Sequence, residues 1–93
     1  MLRFTTATWK APSQKERKYM SSDCFLDPQR RKYPVRYNSN GPIYVHAVRT
    51  AIAYSAKYND KKVYTLAKQL YALYKYAITG DKATLRKELQ YAS

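Results

Sequence analysis

The pattern of this chain changes at Asn40-Gly41-Pro42, and that change most limits what it can fold into. Before it, no apolar period is sustained, and Pro12, Pro28 and Pro34 interrupt every regular run. After it, apolar residues recur at helical spacing. Val45, Val48, Ile52 and Ala56 form one stripe. Val63, Leu66, Ala67, Leu70, Leu73, Tyr74 and Ala77 form a second, broader one. Such spacing turns one side of a helix toward a core. Pro42 sits where a helix start tolerates proline. Asn59 or Asp60 reads as a stop and restart, because Asp caps a helix and suits its positive end. Gly80 reads as the left-handed cap of the second helix, and Asp81 as the start of a third that carries Leu85 and Leu89. Links this short predict antiparallel neighbours. The predicted fold is mainly α: a small helical hairpin or three-helix unit over about 43–58, 61–78 and 82–91, preceded by an extended basic N-terminal arm. Residues 1–40 are thus expected as an arm and 41–93 as a small helical domain. Within the arm, Ser13 and Glu16 have the spacing of a capping box, which predicts a helical turn near Lys15–Met20.

Charge narrows the function. The 93 residues hold 18 Lys and Arg against 6 Asp and Glu, a net +12. The excess is shared evenly, with nine cations and three carboxylates in residues 1–40 and the same numbers in 41–93. A chain so basic attracts polyanions or acidic protein surfaces. Eleven tyrosines supply much of its apolar area.

Several classes of chemistry lack their residues. Cys24 is the only cysteine and His46 the only histidine, too few for an intrachain disulfide, a zinc finger or a histidine-based relay. The six carboxylates are scattered, and with two glycines there is no phosphate-cradling loop. The reading is therefore no enzyme, no cofactor, no metal and no small-molecule substrate. No apolar run approaches the roughly 20 residues that span a bilayer, and Met1–Thr6 lacks the apolar core of a signal peptide. The expected setting is a virion or a host cytoplasm, without a membrane partner.

Two clusters are candidates for binding. The first is Arg30, Arg31, Lys32 and Arg36, with Asp23 and Asp27 as the only nearby acids. Two carboxylates cannot pair them all, so a larger acidic-surfaced assembly is the expected complement, with Phe4, Trp9, Phe25, Leu26 and Tyr33 as apolar anchors. The second is a stripe on the second predicted helix, Tyr64, Lys68, Tyr71 and Lys75, extended by Lys57, Lys61 and Lys62. Lysines there can meet phosphates while tyrosines stack on bases of DNA or RNA. The alternatives are a protein assembly that binds the same Tyr/Lys helix face, and a solvated lysine face with tyrosines resting on lysine stems. Asp60-Lys61-Lys62 opens the helix with phosphate contacts and little base-reading capacity, so binding to DNA or RNA is expected to be non-specific.

Arg31-Lys32-Tyr33-Pro34-Val35 resembles the R-K-Y-P-[IV] segment of small phage-encoded proteins whose genes lie near head genes. In that group an [AV]-R-N-A-[IL] helix follows. Val48-Arg49-Thr50-Ala51-Ile52 is similar to it, with Thr50 in the Asn position. Ala67-Lys68-Gln69-Leu70-Tyr71 and Lys75-Tyr76 are similar to the group's closing basic helix. The likeness covers about residues 25–76, departing in a longer connection from Pro34 to Arg49 and a one-position displacement of His46. It implies a structural or accessory component of a phage particle, held to a capsid or portal, and no catalytic residue.

Overall fold

The computed structural model describes residues 3–79, so the third predicted helix, with Gly80 and Asp81, lies outside the described residues. The elements are β1 (Phe4–Thr5), α1 (Gln14–Arg17), a single 3-10 turn (Ser22–Cys24), β2 (Phe25–Asp27), β3 (Lys32–Pro34), β4 (Ile43–Tyr44), α2 (Val45–Lys57) and α3 (Lys61–Thr79). Helix dominates, and two small sheets accompany it. β1 pairs with β4 in parallel, Phe4 opposite Ile43. β2 pairs with β3 antiparallel, Phe25 opposite Pro34 and Asp27 opposite Lys32. The chain divides into two compact units, one ending at Ala47 and the other beginning at Val48.

The first unit corrects the expectation of an extended arm. The described part of residues 1–40 is folded, because its backbone finds partners along the whole segment. The Val35 N–H donates to the Cys24 carbonyl (2.9 Å), the Tyr44 N–H to the Val35 carbonyl (2.9 Å) and the Ile43 N–H to the Arg3 carbonyl (2.8 Å). These bonds close a core of Pro12, Cys24, Phe25, Pro34, Val35, Ile43, Val45 and Ala47. Trp9, Tyr37 and Tyr44 add a three-ring cluster with centroids 4.7–5.1 Å apart. The Tyr37 hydroxyl accepts from the Lys10 N–H (3.0 Å) and donates to the Lys10 carbonyl (2.7 Å), pinning the segment that carries Trp9. The predicted first helix also starts later than expected. Ile43 and Tyr44 spend their N–H groups on Arg3 and Val35, so they form a strand, and α2 begins at Val45.

The capping box is present: the Ser13 Oγ accepts from the Glu16 N–H (3.2 Å), and the Ser13 N–H donates to Glu16 Oε1 (3.3 Å). α1 is nonetheless one turn long. Two residues here are in the left-handed region, Arg31 (φ 53°) in the β2–β3 connection and Tyr33 (φ 61°) within β3. Residues before proline usually keep an extended backbone, and Tyr33 departs from that. Its positive φ occurs where the chain must bring Val35 back to Cys24.

In the second unit the buried positions are Val48, Ala51, Ser55, Val63, Ala67 and Ala72. The inward stripe of α2 is rotated from the predicted one: Ala51 and Ser55 are buried, Ile52 is half-buried and Ala56 is exposed. Ser55 fits because its hydroxyl donates to the Ile52 carbonyl (3.2 Å). On α3, Leu66, Leu70, Leu73 and Tyr74 are half-buried and Ala77 is exposed.

Candidate functional site

The turn between α2 and α3 builds the strongest site. α2 ends in a Schellman arrangement: Asn59 is left-handed (φ 58°), its N–H donates to the Ala56 carbonyl (3.3 Å), and the Asp60 N–H reaches the Ser55 carbonyl (2.8 Å). Asp60 then starts α3. Its carbonyl accepts from the Tyr64 N–H (2.9 Å) and its Oδ1 from the Val63 N–H (3.4 Å). One residue closes a helix and the next opens another, so three residues, 58–60, make the link. That economy concentrates side chains. Lys57, Lys61 and Lys62 are all exposed around the turn. Asn59, Lys61 and Tyr64 share a shallow concavity with Ser55 and Ala56.

Three tyrosines stand out at this turn: Tyr54 (49% exposed), Tyr58 (65%) and Tyr64 (38%). Tyr54 and Tyr58 lie one helical turn apart, with ring centroids 6.3 Å apart and planes within 7° of parallel. Lys57 Nζ sits 5.5 Å from the Tyr58 centroid. Over residues 48–79 there are six cations (Arg49, Lys57, Lys61, Lys62, Lys68, Lys75) and one carboxylate, Asp60, whose side chain caps α3. The potential there is positive, with exposed rings inside it.

The remainder of the predicted stripe is different in character. Lys68, Tyr71 and Lys75 are half-buried, not solvated, and no residue from 65 to 76 is fully exposed. Lys75 Nζ lies 4.8 Å from the Tyr71 centroid, and Tyr71 tilts against Tyr74 at 6.0 Å. Of the predicted residues, the turn therefore gathers Lys57, Lys61, Lys62 and Tyr64, and leaves Lys68, Tyr71 and Lys75 further along α3. Tyr54 and Tyr58 were missed. Tyr54 on α2 and Tyr58 just past its end keep an i, i+4 spacing that the apolar period of α2 does not contain.

The arm cluster is largely committed within its own unit. Arg30 Nε pairs with Asp27 Oδ2 at 2.5 Å, and the Arg30 N–H donates to Asp27 Oδ1 (3.2 Å). Arg31 donates from Nε (3.0 Å) and Nη2 (2.6 Å) to the Arg17 carbonyl and from Nη2 to the Met20 carbonyl, with its guanidinium 4.8 Å from the Phe25 centroid. Arg36 Nη2 pairs with Asp23 Oδ2 (3.4 Å) and donates to the Asp23 carbonyl (3.2 Å), while its Nε is buried without a partner. Phe25 is buried, Trp9 is stacked on Tyr37, and Phe4, Leu26 and Tyr33 are half-buried. Lys32 remains exposed. Backbone carbonyls satisfy Arg31 without neutralising it, so charge persists. Gln14, Arg17, Lys18, Arg30, Arg31 and Lys32 line one shallow basic concavity.

Hydrogen bonds from the Ser21 and Ser39 hydroxyls, aided by Arg36, hold the Asp23 carboxyl below its ordinary range. Burial, aided by the Asp23 charge, pushes the Cys24 thiol up, and Cys24 is wholly enclosed. A thiol so placed is a packing group, because the reactive form is the thiolate. Among the described residues no group of three or more His, Cys, Asp or Glu is placed to hold a metal ion, and no helix is long and apolar enough to cross a membrane.

Family models, curated proteins and solved structures were compared with the chain, and none matches it.

Proposed function

We propose that this chain is a non-enzymatic binding protein whose partner is nucleic acid, gripped mainly through the phosphate backbone. The observation that carries the reading is the α2–α3 turn. Three exposed lysines and three exposed tyrosines surround it, and the one carboxylate in residues 48–79 is spent as a helix cap. Lysine neutralises phosphate and releases counterions, without reading sequence. The test is affinity for a random duplex across a salt series. A log–log slope near −0.9 per phosphate contact, amounting to several contacts, is expected. Salt-independent or absent binding at low ionic strength would overturn the reading.

The second reading is a component of a phage particle, seated against an acidic protein surface within a virion or a host cytoplasm. It is supported by the basic concavity of the first unit, formed by Gln14, Arg17, Lys18, Arg30, Arg31 and Lys32, and by the R-K-Y-P-V likeness. Gln replacement of Lys18 and Lys32 discriminates: it weakens particle association in this reading and spares duplex binding in the first.

A further inference from the structure

We propose that the Tyr54–Tyr58 pair is a stacking platform for unpaired bases, so that the preferred ligand is single-stranded nucleic acid. The inference rests on the nucleic-acid reading above and specifies its substrate class. Both rings are exposed, at 49% and 65%, Tyr54 on α2 away from its buried Ala51 and Ser55 and Tyr58 just past its last residue. The two rings stack on each other, yet both leave much of their apolar area in water. The rings are within 7° of parallel at 6.3 Å. Parallel rings let neighbouring bases of one strand stack without being twisted against each other. Every base has a π-face, so such contacts tolerate any sequence. Lys57 lies between the two tyrosines in sequence and over the Tyr58 ring, and Lys61 and Lys62 follow across the turn. A strand stacked on these rings would meet the Lys57 ammonium at Tyr58, with further lysines across the turn. A paired duplex keeps its base faces inside its own stack and presents phosphates alone, so it gains nothing from the rings.

The pattern favours a nucleic acid over a protein partner. Six cations against one committed carboxylate suit a continuous polyanion, which carries a phosphate at every step.

The experiment measures affinity of the full chain for oligothymidine, an oligouridine of equal length and a random duplex, at one fixed ionic strength. Single strands of either sugar are expected to bind more tightly than duplex. Tyr54→Ala with Tyr58→Ala is expected to weaken single-strand binding about 10- to 100-fold and duplex binding by a much smaller factor. Tyr54→Phe with Tyr58→Phe keeps the rings and is expected to retain single-strand affinity. Photo-crosslinking of iodouracil-substituted oligonucleotide to the unaltered protein is expected to label Tyr54 or Tyr58, which does not depend on any variant folding. Salt-dependent duplex binding with no loss in the alanine variant, or label only elsewhere, overturns the platform and leaves the backbone-binding reading standing. Failure of every oligonucleotide to bind at low salt overturns both.

Discussion

The Arg31 guanidinium donates to the carbonyls of Arg17 and Met20 while lying over the Phe25 ring. Those carbonyls end α1 and its following turn, so a single side chain closes a helix that is too short to be stable by itself. Arg31→Ala removes donors from buried-side carbonyls and a cation from an aromatic face. A loss of about 2–3 kcal/mol is expected in urea unfolding, in the range of hydrogen bonds to charged groups. Arg31→Lys is expected to recover little of it, since one ammonium cannot reproduce the planar fork. The left-handed φ of Asn59 makes the opposite prediction. Asn59→Gly is expected to be neutral or slightly stabilising, whereas Asn59→Val is expected to lower stability by about 1–2 kcal/mol. Asp23 supplies the pH dependence. Ser21, Ser39 and Arg36 lower its folded value below 3.8, so the unfolded chain takes up its proton first as pH falls. Its stabilising contribution is present above the unfolded value and is lost on acidification through the folded one. Asp23→Asn is therefore expected to be less stable than the parent at neutral pH, with the difference shrinking in acid titrations monitored by circular dichroism. Of these partners only Asp23 with Arg36 was legible beforehand, as neighbouring opposite charges. A count of charges assumes that cations need carboxylates, and Arg31 is satisfied by backbone carbonyls from residues 11 and 14 positions away.

Elements differ in how much of them lies in local sequence. α2 and α3 match the predicted spans 43–58 and 61–78 within about two residues, because caps and periodicity are local signals. The same holds for the Ser13–Glu16 box. The strands were not anticipated. β1 and β4 have two residues each, too few for any alternation to show, and their pairing joins positions about 39 apart. The rotation of the α2 stripe has a related origin: a serine at 55 reads as polar until its hydroxyl finds the Ile52 carbonyl. The α2–α3 link was legible as a stop and restart, yet the tyrosines around it were not, because Tyr54 precedes it on α2 and Tyr58 opens the link itself. Asp60 tests how the link is held. Asp60→Ala leaves the Val63 N–H without its side-chain acceptor and is expected to cost about 1 kcal/mol. It also removes the one carboxylate of residues 48–79. The variant is thus expected to unfold at lower urea and yet bind oligonucleotide at least as tightly, an opposition that a purely structural role for the turn would not produce.

At the scale of the whole molecule, a net +12 on 93 residues sets self-repulsion against folding, and salt acts on it in two ways. Screening shortens the reach of repulsion to about 10 Å at 0.1 M and about 3 Å at 1 M. The unliganded protein is therefore expected to melt at higher temperature as sodium chloride rises from near zero to about 0.15 M. A bound polyanion reverses the trend. At low salt it neutralises the same charges and binds only the folded chain, which raises stability by about 2.7 kcal/mol when present at 100 times its dissociation constant. Raising salt weakens that binding steeply and takes the increment away. Thermal unfolding with and without oligothymidine over the same salt series should give two curves of opposite slope that converge. Parallel rising curves would mean that the oligonucleotide does not engage the folded state. Flat curves in both cases would mean that the positive charges are already balanced within the fold, as Arg30 with Asp27 and Arg36 with Asp23 are locally, and that +12 is no measure of what the molecule binds.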